Sequence, residues 1–135
     1  MRAIADTGFV VAFGNRRDRH HDWALRIAQR VTEPLLTCEA VLAESAFHLG
    51  STKLVLALIE DGLLRPAFSI SEHLARLEEL AARYAGLSPD LADLCLIRMS
   101  ELHPKYPVIT TQIRDFKIYR RGRREAIPVI LPPAK

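Results

Sequence analysis

Long hydrophobic runs are missing from this 135-residue chain. The most continuous apolar stretch, Leu54 to Ile59, falls far short of the roughly 20 residues that a membrane span requires. The acidic Asp6 interrupts the apolar opening before it reaches the length of a signal-peptide core. A cytoplasmic protein without a membrane partner is therefore expected. Cysteine is scarce as well: Cys38 and Cys95 stand far apart, form no C-x-x-C, and sit among apolar neighbours. Buried, reduced thiols are the expectation for both. Nucleotide-binding signatures of the G-x-G-x-x-G or P-loop kind are absent.

A large excess of one charge is also lacking, since the formal net charge is only +3. Overall charge therefore makes no case for nucleic acid, but its distribution does. Lys117, Arg120, Arg121, Arg123 and Arg124 fall together near the C-terminus, and Arg16, Arg17 and Arg19 form a second cluster. The first group is a candidate to hold an RNA backbone, although a solvated basic loop would have the same composition. Hydrophobic residues make up 49% and charged residues 26%, the balance of an ordinary globular domain. With no internal repeat, linker or low-complexity tract, residues 1–135 read as one domain.

The chain alternates strand and helix signals. Arg2 to Ala5 is a short buried strand ending at the polar turn Asp6-Thr7-Gly8. A helix is expected from about His20 to Val31, with Trp23 and Ile27 four apart on a core face. Leu35 and Leu36 form a second strand. Thr37 is placed to cap a helix through Glu44 to Leu49 that Gly50 terminates. Ser51 can cap the apolar helix that follows, whose cover is either this domain's own core or another chain. Leu64 to Phe68 is a third strand candidate, and Ser71 with Glu72 can open the amphipathic helix carrying Leu74, Leu77 and Leu80. Ser88 and Pro89 suit the cap and first position of another helix, which puts Asp90 and Asp93 three apart on one face. Val108 to Thr110 and Ile127 to Leu131 complete the strands. This order predicts an α/β fold with a mostly parallel sheet flanked by helices.

In such a sheet, ligands bind beyond the carboxyl ends of the strands, where Asp6 lies. Asp93 and the Thr110-Thr111-Gln112 turn can reach the same crevice, and Glu44 can if its helix packs alongside. Each acid has a plainer reading. Asp6 could cap the following turn, and Asp93 could favour the positive end of a helix dipole. Glu44 is harder to dismiss, because Val41-Leu42-Ala43-Glu44-Ser45-Ala46-Phe47 is otherwise apolar and an unpaired carboxylate there is costly to bury. If the three converge, each pair 4 Å apart repels by about 4 kcal/mol at an effective dielectric of about 20. A cation relieves that repulsion, and hard oxygen ligands select Mg²⁺ or Mn²⁺ over zinc. Asp18, His20, His21 and Asp22 are a weaker metal candidate, since adjacent histidines do not share a helix face.

Four pieces, in order and nearly spanning the chain, then resemble one family. They are Ala5-Asp6-Thr7-Gly8, Thr37-Cys38-Glu39-Ala40-Val41-Leu42-Ala43-Glu44, Leu91-Ala92-Asp93-Leu94-Cys95-Leu96, and Ile109-Thr110-Thr111 followed by Asp115-Phe116 and Tyr119-Arg120. They resemble the PIN-domain nucleases, and most closely the single-domain toxins of the VapC type. The resemblance implies a three-layer α/β/α fold and a Mg²⁺- or Mn²⁺-dependent endoribonuclease. It also implies a cognate antitoxin that blocks the site, and commonly a homodimer.

Position by position, the family's acids fall on Asp6, Glu44 and Asp93, with Thr7 and Thr110 at its hydroxyl positions. Asp6 and Asp93 are the expected metal ligands. Glu44 is expected to act through water or to orient the nucleophile. Where the family usually carries a fourth acid, this chain has Gln112, which brings no negative charge. Asp115 and Asp90 are the candidates to replace it. The alternative that Gln112 raises is a catalytically weakened PIN-fold module that binds RNA without cutting it. A phosphoacceptor domain ranks below both, for want of an adjacent acidic pair after the first strand.

Overall fold

The computed structural model of the chain describes residues 1–134. Its sheet is built from very short apolar strands. Ile4–Ala5 (β1), Leu35–Thr37 (β2) and Val108–Ile109 (β4) are buried at every residue, so both of their faces are covered. Leu64–Pro66 (β3) buries only Leu64, and Val129–Ile130 (β7) is half-buried, as suits edge strands. All five pair in parallel, in the order β3-β2-β1-β4-β7. Arg120–Arg121 (β5) and Glu125–Ala126 (β6) form a separate antiparallel hairpin, so the architecture is mixed α/β with a parallel central sheet, as expected.

Seven helices surround the sheet among the described residues: Thr7–Gly14 (α1), His21–Gln29 (α2), Glu39–Leu49 (α3), Thr52–Glu60 (α4), Leu74–Arg83 (α5), Leu91–Leu102 (α6) and Ile113–Ile118 (α7). α1 packs on α2 and α3, α3 on α4 and α6, and α5 on α6. Helix α6 is buried along most of its length, from Ala92 to Ile97 and again at Met99 and Ser100, which holds its first turn firmly against the sheet. Trp23 and Ile27 enter the core as their spacing predicts, Trp23 edge-on to Phe9. Both cysteines are free and buried. No helix is long and apolar enough to cross a membrane among the described residues.

Several expected boundaries move. Thr37 belongs to β2 and donates its hydroxyl to Ala5 O at 2.9 Å, so Cys38 occupies the cap position of α3. Ser71 and Glu72 lie in a single 3-10 turn, and α5 begins at Leu74 without a side-chain cap. Ser88 takes a left-handed conformation (φ 48°) instead of capping α6. That role falls to Asp90, whose Oδ1 accepts the Asp93 N–H at 2.8 Å. A carboxylate makes a charge-assisted bond that a serine hydroxyl does not, which favours the later cap. Pro89 consequently precedes the helix instead of opening it. Ser51 does cap α4, accepting from Leu54 N at 3.0 Å, and Gly50 closes α3 in the left-handed region.

Candidate active site

Strand order reverses between β1 and β4: the chain leaves β1 for β2 on one side, while β4 lies on the other. This is the switch point at which parallel α/β sheets open a crevice. Asp6 directly follows β1 there and Thr110 directly follows β4, and they touch, with Thr110 Oγ1 donating to Asp6 Oδ2 at 2.6 Å. α1 begins at the very next residue, so Asp6 is also its cap, Oδ1 accepting from Thr7 N at 2.6 Å. The capping reading of Asp6 therefore holds, and the same carboxylate lies at the mouth of the crevice. The turn after β4 is fixed in the same way, since Thr110 Oγ1 also accepts the Gln112 N–H at 2.9 Å.

Gly8 allows the two strand ends to meet this closely. A β-carbon there would lie 1.9 Å from Thr111 Oγ1, 3.0 Å from its Cβ and 3.1 Å from its Cγ2. Rotating the threonine cannot relieve a contact that its own Cβ shares.

Glu44 is brought in by the packing of α3 on α1. Its Oε1 accepts from Thr7 Oγ1 at 2.7 Å, so Thr7 links Asp6 and Glu44, with its N–H on one acid and its hydroxyl on the other. Asp93 stands in the first turn of α6, 5% exposed. Its Oδ2 accepts from the Tyr119 hydroxyl at 2.9 Å. Its Oδ1 is buried and accepts no hydrogen bond from any described residue.

The acids act on one another. Burial pushes Asp6 up to about 6, the Thr110 and Thr7 hydrogen bonds oppose this, and the charges of Glu44 and Asp90 add to it. Burial and then the neighbouring Asp90 push Asp93 up to about 7, with Tyr119 opposing and Asp6 and Asp115 adding. The field at Asp93 thus comes from both residues considered as replacements for the missing fourth acid. Gln112 occupies the cap position of α7 but makes no capping bond with its side chain.

A hard divalent cation matches this donor set. The oxygens are carboxylate, their mutual repulsion is the kind a cation relieves, and the orphaned Asp93 Oδ1 is the atom such an ion would satisfy. Among the described residues, no three His, Cys, Asp or Glu side chains stand together so that they could hold a metal ion. A Mg²⁺ site needs only one or two carboxylates, with water and phosphate in the remaining positions.

The remaining sequence candidates divide. Lys117, Arg123 and Arg124 are exposed. Arg121 is buried instead, donating to Ser100 O at 3.0 Å, Ser100 Oγ at 3.1 Å and Glu125 Oε2 at 2.8 Å, so it braces the hairpin and is unavailable to RNA. Arg120 turns its Nη1 back onto the carbonyls of Lys117 and Tyr119. Of the histidine cluster, His21 pairs its Nδ1 with Ala12 O at 2.7 Å and makes no metal site.

Tyr119 is the site residue that sequence reasoning missed. Its bond to Asp93 spans 26 residues and leaves no local trace beyond the apolar spacing with Phe116. Burial pushes its phenol well above the ordinary value, and the Asp93 charge adds to this, so it remains a proton donor.

The apolar helix is covered only in part. Val55 and Leu58 are buried, while Leu56 is 60% and, on α3, Phe47 81% exposed. They flank an open groove of about 670 Å³ between α3 and α4.

No curated protein matches the chain. The family model described as PIN domain matches residues 3–120, a span that holds Asp6, Glu44, Asp93 and Thr110, so the chain belongs to the PIN-domain family, whose members are generally nucleases.

Proposed function

We propose that this chain is a Mg²⁺- or Mn²⁺-dependent endoribonuclease in which Asp6, Glu44 and Asp93 form one hydrolytic centre, and that it is the toxin of a toxin–antitoxin pair. The observation that carries the reading is Asp93 Oδ1, a buried carboxylate oxygen without a partner among the described residues, on an acid that feels the charges of Asp90, Asp6 and Asp115. A bound divalent cation would lower the pKa of a water and polarise a phosphate oxygen.

The chain's own residues supply the rest. Asp6 and Asp93 are the direct ligands. Asp6 is held from both sides by Thr7 N–H and the Thr110 hydroxyl, so its orientation is set before any ion arrives. Glu44, half-buried and steered by Thr7, accepts a proton from or orients the attacking water. Asp115 and Asp90, which face Asp93 electrostatically, supply the negative charge that Gln112 does not. Lys117, Arg123 and Arg124 hold the RNA backbone.

RNA rather than DNA, and the toxin role, rest on the likeness to single-domain toxins. The exposed Phe47 and Leu56 beside the groove between α3 and α4 agree with a protein partner, either the antitoxin or a second copy in a homodimer. A second reading, an RNA-binding module with little activity, is favoured by Gln112 alone.

Purified protein, freed of any partner, should cut a labelled RNA in Mg²⁺ or Mn²⁺, leave DNA of the same sequence intact, stop on chelation, and lose activity in Asp6→Asn. RNA that is bound in a salt-dependent way but stays whole would favour the second reading. Equal cleavage by Asp6→Asn would reject the site.

A further inference from the structure

Asp93 is presented with its two oxygens in different states. Oδ2 is committed to the Tyr119 hydroxyl, while Oδ1 is buried and open. The phenol that imposes this difference cannot swing away. Its ring, 2% exposed, lies edge-on against Tyr84 (5.1 Å between centroids, 71°) and against Phe116 (5.4 Å, 87°). Tyr84 is itself pinned, its hydroxyl accepting from Arg120 N at 2.7 Å and donating to Arg120 O at 3.3 Å. The other acids differ: Asp6 accepts one hydrogen bond on each oxygen and keeps a lone pair on both, while Glu44 accepts one on Oε1.

A carboxylate with one oxygen held by a rigid donor is fixed in orientation and offers its unbonded oxygen first, since the bonded one has already given up a lone pair. Mg²⁺ takes single oxygens in a tight octahedron at about 2.0–2.1 Å. Ca²⁺ sits farther out, at about 2.3–2.6 Å, accepts more ligands and readily takes both oxygens of one carboxylate. The hydrogen-bonding pattern around an acid thus discriminates between these ions without touching them.

We propose that Tyr119 is a positioning residue that holds Asp93 Oδ2 and the plane of the carboxylate, so that the acid meets a cation through Oδ1 and the site selects small octahedral ions, Mg²⁺ or Mn²⁺, against Ca²⁺. This rests on the reading of the acids as a metal site. Removing the hydroxyl frees Oδ2, loosens the orientation of the carboxylate and opens two-oxygen binding to the larger ion.

The test is calorimetric titration of the whole chain with Mn²⁺ and with Ca²⁺, comparing wild type, Tyr119→Phe and Tyr84→Phe at one pH, with thermal melts to compare their folding. Tyr119→Phe should bind Mn²⁺ about tenfold more weakly while Ca²⁺ binding holds or tightens, so that the preference narrows. Tyr84→Phe loosens the same segment but touches no acid, and should keep the wild-type preference. An unchanged preference in Tyr119→Phe, or an equal narrowing in Tyr84→Phe, overturns the inference and leaves the metal reading standing. A wild type that binds neither ion overturns both. Independently of any variant, anomalous density that places Mn²⁺ on Asp93 Oδ2 in wild-type crystals also overturns it.

Discussion

The Thr7 hydroxyl donates a 2.7 Å hydrogen bond to Glu44 Oε1, joining the first residue of α1 to an acid 37 positions later. Because the Thr7 N–H is already on Asp6 Oδ1, one residue sets the geometry of two acids. Thr7→Val keeps the shape and removes only the hydroxyl bond. It should lower nuclease kcat/KM by about tenfold, the lower end of what loss of a ligand-orienting partner costs. If Thr7 acts through Glu44, adding Thr7→Val to Glu44→Ala should cost little more than Glu44→Ala alone. Additive losses in that double-mutant cycle would show that Thr7 does something else.

The raised acids make a prediction about stability. The pKa of Asp6 in the folded chain is about 6 and that of Asp93 about 7, both above the ordinary aspartate value. Between those limits the folded state binds more protons than the unfolded one, so metal-free stability falls as pH rises from about 4 to 7. Differential scanning calorimetry should show a lower Tm at pH 8 than at pH 5. Mn²⁺ should raise Tm strongly at pH 8 and little at pH 5, because the ligands must first lose their protons. Asp93→Asn should flatten the fall. A variant that falls as steeply as wild type would mean that Asp93 is not the group responsible.

Gly8 tests the closeness of the two strand ends. Its missing side chain leaves room for Thr111, with every non-backbone atom of that threonine near the place a methyl would take. Gly8→Ala should destabilise the chain by about 1–3 kcal/mol, as overpacking does. It should also reduce activity by moving the Thr110 turn off Asp6. Adding Thr111→Ala removes Oγ1 and Cγ2 and should recover part of both losses, measured by urea unfolding and by RNA cleavage. No recovery would place the strain elsewhere.

These contacts also show what a sequence reveals about such a centre. Asp6 was legible because a short apolar strand ending in a polar turn marks the rim of a parallel sheet. Glu44 was legible because a carboxylate inside an apolar helix needs a reason to be there. The start of α6 was misread by two residues, since Ser88-Pro89 is a plausible helix opening and only three-dimensional placement shows that the Asp90 carboxylate takes the Asp93 N–H. Arg121 looked identical to Arg123 in a basic run. Burial against Ser100 separates them, and that depends on how the hairpin folds back on α6. Tyr119 was invisible as a partner of Asp93, because a hydrogen bond between the end of one helix and the start of another has no periodicity to announce it.

Gln112 separates the two accounts of how much negative charge the centre holds. If Asp115 stands in for the missing acid, Asp115→Asn should lower Mn²⁺-dependent cleavage by about tenfold or more. Gln112→Ala should change it little, and Gln112→Asp should tighten Mn²⁺ binding and raise activity. An Asp115→Asn variant as active as wild type would leave Asp90 as the only remaining source, to be checked by Asp90→Asn. Because Asp90 also caps α6, its thermal melt must be read alongside its activity.

Asp6, Glu44 and Asp93 are proposed to serve one divalent cation. Crystals grown with Mn²⁺ and measured at the manganese absorption edge test it most directly. One strong anomalous peak is expected at the switch point between β1 and β4, ligated by Asp6 and by Asp93 Oδ1, with Glu44 reaching it through water. Anomalous density away from these acids, or none with Mn²⁺ in excess at pH 8, would contradict it.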